Sequence, residues 1–239
     1  MSIKPDLQFT LKDIQDAREK LKSVILPTSV EWSSSASKLM GCDIFFKFEN
    51  TQKTGSFKIR GAYNKISQLT ESEKKQGVIA SSAGNHAQGV ALSASLAGVK
   101  SVIVMPETAP FAKVEATRAS GAEVILHGQI YDDAYAKAQE IAKERNLIFI
   151  PPYEDSRIIA GQGTIGLEII EQIKNLDTII VPIGGGGIIS GIAVASKKLN
   201  PQIKIIGVKS SLAPGMCELY HKKALSSTIK RMATIADGI

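Results

Sequence analysis

The sequence has little cysteine, few aromatic residues and no long hydrophobic run. Cys42 and Cys217 are the only cysteines in 239 residues, so we expect two reduced thiols rather than a disulfide framework. Aromatic residues make up 5% of the chain and the net charge of +6 is scattered, which argues against nucleic-acid binding. No apolar run approaches the roughly 18 residues of a membrane-spanning helix. Since Met1–Asp16 is polar and unlike a signal peptide, we predict a cytoplasmic protein without membrane contact.

Short apolar runs alternate with helical stretches through most of the chain. A helix near Leu11 with a Thr10/Asp13 cap, a strand at Asp43–Glu49 and a helix at Phe57–Leu69 are predicted first. The later strands are predicted at Val78–Ser81, Ser101–Met105, Glu123–Leu126, Leu147–Ile150, Thr178–Ile183 and Lys204–Val208. The helices between them are predicted at Asn85–Ala97, Phe111–Ser120, Tyr131–Arg145, Thr164–Ile173 and Ile188–Lys198. This alternation predicts an α/β fold of βαβ units with mostly parallel sheets.

A run of four glycines lies between a predicted strand and a predicted helix, in the segment Val181–Gly191. The four are Gly184, Gly185, Gly186 and Gly187. Glycine permits the positive φ angles that turn successive N–H groups towards one ligand, and the next helix adds unpaired donors. We therefore predict a phosphate site. The dinucleotide pattern G-x-G-x-x-G fails, because Ile189 and Ser190 replace its third glycine. A loop that needs glycine only for packing is the alternative.

Lys58 occurs in the segment KTGSFKIRG, Lys53–Gly61, where a turn at Gly55 leads into a predicted helix. A lysine is ordinarily a solvated surface residue, so Lys58 alone predicts nothing. Two features favour a chemical role. Phe57 offers a ring that can pack near a flat cofactor, and an amine near a helix N-terminus in an apolar site has the lowered pKa that Schiff-base chemistry requires.

The segment Ser81–Gln88 (SSAGNHAQ) directly follows a predicted strand. Its small hydroxyl residues and Gly84 in a strand-to-helix turn suit an anion such as a substrate carboxylate, and Asn85 can both donate and accept. The same residue types also cap helices, so this motif alone leaves both interpretations open.

Two other site classes lack support. The three histidines have neither the spacing nor the carboxylate neighbours of a metal site, so we predict none; they are His86, His127 and His221. Ser190 fails the serine-hydrolase pattern G-x-S-x-G, because Ile188 stands where its first glycine belongs.

Taken together, Thr54–Gly61 (TGSFKIRG), Ser82–Gln88 and the glycine run resemble the signature motifs of fold-type-II pyridoxal-phosphate enzymes. The match is closest to the biodegradative threonine dehydratase/serine racemase family, and extends to Ile150–Gly166 and Thr234–Gly238 (TIADG). It implies a tryptophan-synthase-β-like fold of two interleaved open α/β domains with mostly parallel sheets. Residues 1–69 and 155–239 would form the large cofactor domain, residues 70–154 a smaller inserted domain, and the substrate would bind between them.

The resemblance also implies a role for each motif. Lys58 would form the Schiff base with pyridoxal 5′-phosphate, Phe57 would pack against its pyridine ring, and Asn85 would hydrogen-bond the 3′-oxygen. Gly184, Gly185, Gly186 and Gly187 would hold the phosphate. The substrate carboxylate would bind the loop formed by Ser82, Ala83, Gly84, Asn85 and His86.

The activity implied by the resemblance is a dehydratase (ammonia-lyase) reaction. The substrate amine displaces Lys58 from the cofactor, the freed amine removes the Cα proton, and the β-hydroxyl leaves. L-Threonine then yields 2-oxobutanoate and ammonia, and L-serine yields pyruvate and ammonia. Serine racemase is the alternative. Eukaryotic racemases carry a serine before the Gly-Asn of this loop, whereas this chain has Ala83, which cannot transfer a proton.

Two departures from the family pattern matter. Lys209 replaces a glutamate that belongs to a divalent-cation site in racemases and some dehydratases, so we predict no such metal site. The family's catalytic domain continues beyond residue 239, so we expect a C-terminally truncated form, and a non-catalytic phosphate- or nucleotide-binding protein stays as an alternative. The family also implies a homo-oligomer (dimer or tetramer) and admits a nucleotide effector.

Overall fold

A computed structural model of the protein describes residues 8–223 and Ala236. The helices are α1 (Leu11–Leu21), α2 (Ser34–Met40), α3 (Lys58–Ile66), α4 (Glu71–Gln76), α5 (Asn85–Leu96), α6 (Phe111–Ala119), α7 (Tyr131–Glu144), α8 (Ser156–Gln172), α9 (Gly187–Leu199) and α10 (Gly215–Tyr220), with a short 3-10 helix at Glu49–Thr51. The strands are β1 (Val30–Trp32), β2 (Phe45–Lys47), β3 (Val78–Ser81), β4 (Ser101–Met105), β5 (Glu123–Leu126), β6 (Ile148–Phe149), β7 (Thr178–Pro182) and β8 (Lys204–Val208).

A parallel sheet in the order β5-β4-β3-β6 forms the middle of the chain. Its two faces contribute to different cores: Val78 and Ala80 pack with residues of α5, whereas Ile79 packs with residues of α7. Every residue of β3 and β4 is buried. A sheet covered on both faces explains why its strands are continuous apolar runs rather than alternating ones.

A second parallel pair, β7–β8, belongs to a separate group of elements with α9 and α8. Helix α8 approaches α3 and α9 so closely that a Cβ at Gly161 would lie 2.5 Å from the carbonyl oxygen of Arg60, and one at Gly191 would lie 2.4 Å from that of Ile159. Close backbone approach therefore requires glycine at both positions.

A buried ion cluster fixes helix α3, which begins at Lys58. The Arg60 guanidinium is fully buried and donates to Glu49 at 2.7 and 2.8 Å, to Glu168 at 2.9 Å and to Thr164 at 3.0 Å. Lys47 adds a second cation 2.6 Å from Glu168. Strand β2, the 3-10 helix, α3 and α8 are thereby joined at one point.

The predicted mixed α/β fold with mostly parallel strands is confirmed: the β3–β6 sheet and β7–β8 are parallel, and only β1–β2 is antiparallel among the described strands. The Thr10/Asp13 capping pair is present at α1. Helix α8, however, begins at Ser156 rather than at Thr164. Apart from Ala236, Thr234–Gly238 lies outside the described residues, as does the chain end.

Candidate active site

A cleft of about 740 Å³ opens where loops leave the carboxyl ends of β3, β6 and β7. Every site residue predicted from the sequence lines it: Phe57, Lys58, Ser82, Ala83, Gly84, Asn85, His86, Gly184, Gly185, Gly186 and Gly187. The structure thus brings together three motifs that are far apart in the chain. The carboxyl ends of parallel strands are the usual place for ligands in α/β folds, and the volume lies within the range of small-molecule sites.

Lys58 is the first residue of α3 and faces this cleft. Its Nζ donates a 2.9 Å hydrogen bond to the carbonyl oxygen of Pro152 and lies 5.4 Å from the centre of the Phe57 ring. Burial lowers the pKa of Lys58 to about 8. Desolvation of the ammonium causes this shift, so a sizeable fraction of the amine is neutral and nucleophilic near pH 7.5.

The glycine loop lies against Tyr153. A Cβ at Gly185 would lie 2.3–2.4 Å from atoms of the Tyr153 ring, and one at Gly187 would lie 3.0–3.2 Å from that residue. Gly186 has a φ of +89°, in the left-handed region that other residues rarely adopt. Glycine is therefore required for packing against Tyr153. It also leaves the backbone of the loop exposed to the cleft, at the N-terminus of α9.

The loop before α5 ends in a helix N-terminus without a side-chain cap. Gly84 occupies the N-cap position, and no side chain accepts from the first amides of α5. The interpretation of Ser81–Gln88 as a simple capping cluster is therefore wrong. The Ser81 hydroxyl is buried, lines the cleft and has no hydrogen-bond partner. Donors without protein partners at a cleft suit an anionic ligand.

His86 is buried behind this loop, and its Nε2 lies 3.0 Å from the carbonyl oxygen of Ile150. A carbonyl can only accept, so Nε2 carries the proton. Burial, with a smaller contribution from the charge of Lys58, lowers the pKa of His86 to about 3, even though the Ile150 hydrogen bond acts in the opposite direction. The imidazole is therefore neutral at physiological pH.

Several residues outside the predicted site also line the cleft: Ser81, Pro110, Lys113, Tyr131, Pro152, Tyr153, Gln162, Pro182 and Ile188. Burial raises the pKa of Tyr131 to about 12, so its hydroxyl stays protonated. The sequence offered a signal for Ser81, Pro182 and Ile188, which stand in the two loop motifs, and for the residues in Ile150–Gly166, as part of the family resemblance. Lys113 and Tyr131 carry no motif, because only the packing of α6 and α7 brings them to the cleft.

The described residues contain no group of three or more His, Cys, Asp or Glu side chains that could hold a metal ion. Lys209 follows β8, and burial lowers the pKa of its amine. Within residues 8–223 there is also no helix long and apolar enough to cross a membrane.

The parts of this cleft fit one kind of cofactor. A partly neutral lysine amine can bond covalently to a carbonyl. The glycine loop lines the cleft at the uncapped N-terminus of α9, which suits a phosphate, and the buried Ser81 hydroxyl is an unsatisfied donor. The fold and the cleft together define an α/β enzyme built around a lysine and a phosphate-type loop.

Comparison with known proteins identifies the family. Its sequence profile, described as "Pyridoxal-phosphate dependent enzyme", matches residues 21–239. The chain belongs to this family, and its cofactor is pyridoxal phosphate.

The similar proteins include enzymes named for threonine. The chain is 49% identical over 231 residues to L-threonine ammonia-lyase of Thermotoga maritima, covering 97% of this chain and 57% of that protein. It is 50% identical over 238 residues to L-threonine dehydratase catabolic TdcB of Escherichia coli K12, covering 100% of this chain and 72% of that protein. The chain thus spans between about half and three quarters of these relatives' lengths.

Solved structures give the same fold. The processed form of threonine deaminase isoform 2 from Solanum lycopersicum superposes with a TM-score of 0.85 at 41% identity, covering 89% of this chain and 58% of that one. Maize serine racemase superposes with a TM-score of 0.87 at 37% identity, covering 90% and 66%. Dehydratases and racemases are thus both relatives of this chain.

Proposed function

We propose that this chain carries the catalytic machinery of an ammonia-lyase that converts L-threonine to 2-oxobutanoate and ammonia, and L-serine to pyruvate and ammonia. The observation that carries the proposal is the Lys58 amine, with its lowered pKa, in the same cleft as the glycine loop and the uncapped N-terminus of α5. The names of the Thermotoga maritima and Escherichia coli relatives favour L-threonine as the substrate.

In this proposal each motif holds one part of the cofactor or substrate. Lys58 bonds to the cofactor carbonyl, Phe57 packs on its ring and Asn85 hydrogen-bonds the 3′-oxygen. The glycines of the loop hold the phosphate: Gly184, Gly185, Gly186 and Gly187. The substrate carboxylate binds the loop Ser82–His86, which consists of Ser82, Ala83, Gly84, Asn85 and His86. Pyridoxal phosphate, when bound, supplies the electron sink that stabilises negative charge at Cα.

The residues of the chain account for the proton movements. Lys58 takes the proton from Cα and can return it, because a pKa of about 8 lets the amine alternate between its two forms near neutral pH. The β-hydroxyl departs as water with the proton that Lys58 removed from Cα, and the resulting enamine rearranges to an imine. Addition of water to that imine releases ammonia and the 2-oxo acid. Overall, threonine becomes 2-oxobutanoate plus ammonia.

Racemisation is disfavoured by Ala83. A racemase needs a second proton donor on the face of the substrate opposite Lys58. The methyl group of Ala83 cannot supply one at the position where the racemases that this loop resembles carry serine. Dehydration needs only the Lys58 face.

The proposal includes an organisation and a setting for the whole protein. Residues 1–69 and 155–239 form the cofactor domain and residues 70–154 the inserted domain. In support, the four-stranded sheet lies wholly within residues 78–149 and the β7–β8 pair outside it. We also propose that the whole protein is a cytoplasmic homo-oligomer, either a dimer or a tetramer, and that a nucleotide can bind it as an effector.

The test is the absorbance spectrum of the purified chain with pyridoxal phosphate, before and after addition of L-threonine. We expect a visible imine band that borohydride fixes as a covalent mass increase on Lys58, and 2-oxobutanoate in the wild type but not in Lys58→Ala. Chiral analysis of serine after incubation tests the racemase alternative. A colourless chain without 2-oxobutanoate formation overturns the proposal.

A further inference from the structure

One face of helix α3 runs along the segment that follows β6. Lys58 and Lys65 are two helical turns apart, so their side chains leave α3 on the same face. Lys58 Nζ donates to the carbonyl oxygen of Pro152, and Lys65 Nζ donates to Asp155 Oδ2. The helix that carries the proposed Schiff-base lysine is therefore joined to this segment at two points.

The ion pair of Lys65 and Asp155 is largely buried, with side chains that are 7% and 18% exposed. Burial acts to raise the pKa of Asp155, but the hydrogen bond and the charge of Lys65 lower it, so the carboxylate is ionised at neutral pH. A buried pair of full charges resists displacement, because separation leaves each charge without its partner. The pair therefore fixes Asp155 relative to α3.

The two carboxylate oxygens of Asp155 have separate partners. Oδ1 accepts from the amides of Arg157 and Ile158 at 2.9 and 3.3 Å and caps the N-terminus of α8, whereas Oδ2 accepts from Lys65. Asn64 of α3 adds a 2.7 Å hydrogen bond to the carbonyl oxygen of Arg157. The end of the segment is thus held by α3 and by the start of α8 together.

The carbonyl of Pro152 affects the direction in which Lys58 can take a proton. A neutral lysine amine has two N–H bonds and one lone pair, so a hydrogen bond from one N–H restricts where the lone pair points. Such a third group commonly orients the reacting group of an enzyme. Only Tyr153 and Glu154 lie between this carbonyl and Asp155, and the proline ring fixes one further backbone torsion. The position of the carbonyl therefore depends on the anchored Asp155.

We propose that Lys65 and Asp155 are positioning residues: their ion pair holds the Pro152 carbonyl in the place where it orients the reacting amine. This inference rests on the proposed function, in which that amine, Lys58, removes the Cα proton of the substrate. Neither Lys65 nor Asp155 is among the described residues that line the cleft. The pair therefore acts on proton transfer, through Lys58, and leaves substrate binding to other residues.

The test separates proton transfer from binding. L-2-Aminobutanoate has the threonine skeleton without a β-hydroxyl to eliminate. In D₂O its Cα hydrogen should exchange, because Lys58 removes the proton, the electron pair left on Cα is delocalised into the cofactor, and the amine returns a deuteron. For Lys65→Met in the pyridoxal-phosphate-loaded chain we expect this exchange, followed by proton NMR, to slow about 10- to 100-fold. The dissociation constant of the ligand, measured from the cofactor absorbance, should change by less than about 3-fold.

A second measurement needs no cofactor. Amide hydrogen–deuterium exchange of the cofactor-free chain, read by mass spectrometry, should become about 10-fold faster at residues 153–158 in Lys65→Met and stay unchanged in β4. Asp155→Asn should give the same results as Lys65→Met, because an amide oxygen can still cap α8 but offers no charge to Lys65.

The controls distinguish positioning from general stability. Lys65→Arg keeps the ion pair and should recover most of the Cα exchange rate, whereas Lys74→Met removes a surface pair with Glu71 and should leave every measurement unchanged. With L-threonine, Lys65→Met should lower kcat with little change in KM.

The outcomes are distinguishable from those of the proposed function. Cα exchange at the wild-type rate in Lys65→Met, or equal losses of exchange and binding, overturns the inference, while 2-oxobutanoate formation by the wild type leaves the proposed function standing. A wild type that exchanges the Cα hydrogen but makes no 2-oxobutanoate overturns the proposed function alone. A wild type that does neither overturns both.

Discussion

Lys58 Nζ donates to the carbonyl oxygen of Pro152 across 94 positions of sequence. His86, the other buried basic group at the cleft, bonds to the carbonyl oxygen of Ile150, two residues earlier. One short stretch after β6 therefore orients both side chains. A backbone carbonyl is a neutral acceptor, so neither hydrogen bond requires a charged donor. The Lys58 amine and the His86 imidazole can therefore both keep these contacts in their neutral forms.

Imine formation should follow the lowered pKa of Lys58. With a pKa of about 8, roughly a quarter of the amine is neutral at pH 7.5, against about a thousandth for an ordinary lysine. We expect the rate at which the cofactor-free chain forms the visible imine band to rise with pH and level off above about pH 8. Free Nα-acetyl-lysine is the reference, and a rate still climbing above pH 10 would contradict the burial argument.

His86 should make stability depend on pH. Its pKa is about 3 in the folded chain and about 6.5 when unfolded, so the unfolded state binds the additional proton between these values. The free energy of unfolding should therefore be fully retained above about pH 6.5 and fall as the pH is lowered, by up to about 1.4 kcal/mol per pH unit.

Denaturant unfolding of His86→Gln between pH 4 and 7 tests this, since an amide can donate to Ile150 but does not titrate. The variant should lack the additional slope. His127→Gln, at an exposed position, should keep it. Parallel curves for the wild type and His86→Gln are the disproving result.

Gly185→Ala should weaken cofactor binding. The new methyl group would fall within 2.3–2.4 Å of the Tyr153 ring, so the loop or the ring must move. We expect at least about a 10-fold rise in the dissociation constant of pyridoxal phosphate, because a fraction of an ångström at a phosphate cradle costs several hydrogen bonds. The pair Gly185→Ala with Tyr153→Gly should recover affinity. Unchanged affinity in the single variant would refute the packing argument.

Arg60→Met should strongly destabilise the fold. It leaves the carboxylates of Glu49 and Glu168 without their principal partner in a buried cluster, which typically costs about 3–5 kcal/mol. Urea unfolding measures the loss. Arg118→Met, which breaks an exposed pair with Glu115, should cost less than about 1 kcal/mol. Similar small losses in both variants would show that the Arg60 cluster contributes little.

The sequence predicted the parallel strands well, because strands buried on both sheet faces are continuous apolar runs, as in Val102–Met105. It missed β1 and α2, where Trp32, Leu39 and Met40 are exposed and no burial pattern marks the element. The sequence did not predict the start of α8. The N-cap residue of this helix, Asp155, follows two prolines and an acidic residue, and such a composition is typical of a loop.

The site residues divide in the same way. Lys58, Asn85 and the glycines stand in motifs whose residue types carry a chemical requirement. Lys113 and Tyr131 are ordinary helix residues, and only tertiary packing of α6 and α7 brings them to the cleft. The local sequence pattern of a helix does not predict which of its side chains tertiary packing will bring to a site formed by other elements.

The prolines after β6 also affect how the protein meets other chains. β6 is an edge strand of the four-stranded sheet, and Pro151 and Pro152 follow it without amide hydrogens. Because proline has no amide hydrogen, an added strand could not accept hydrogen bonds at these two positions. The segment that presents its carbonyls to Lys58 and His86 thus also limits how far an incoming strand could pair along this edge.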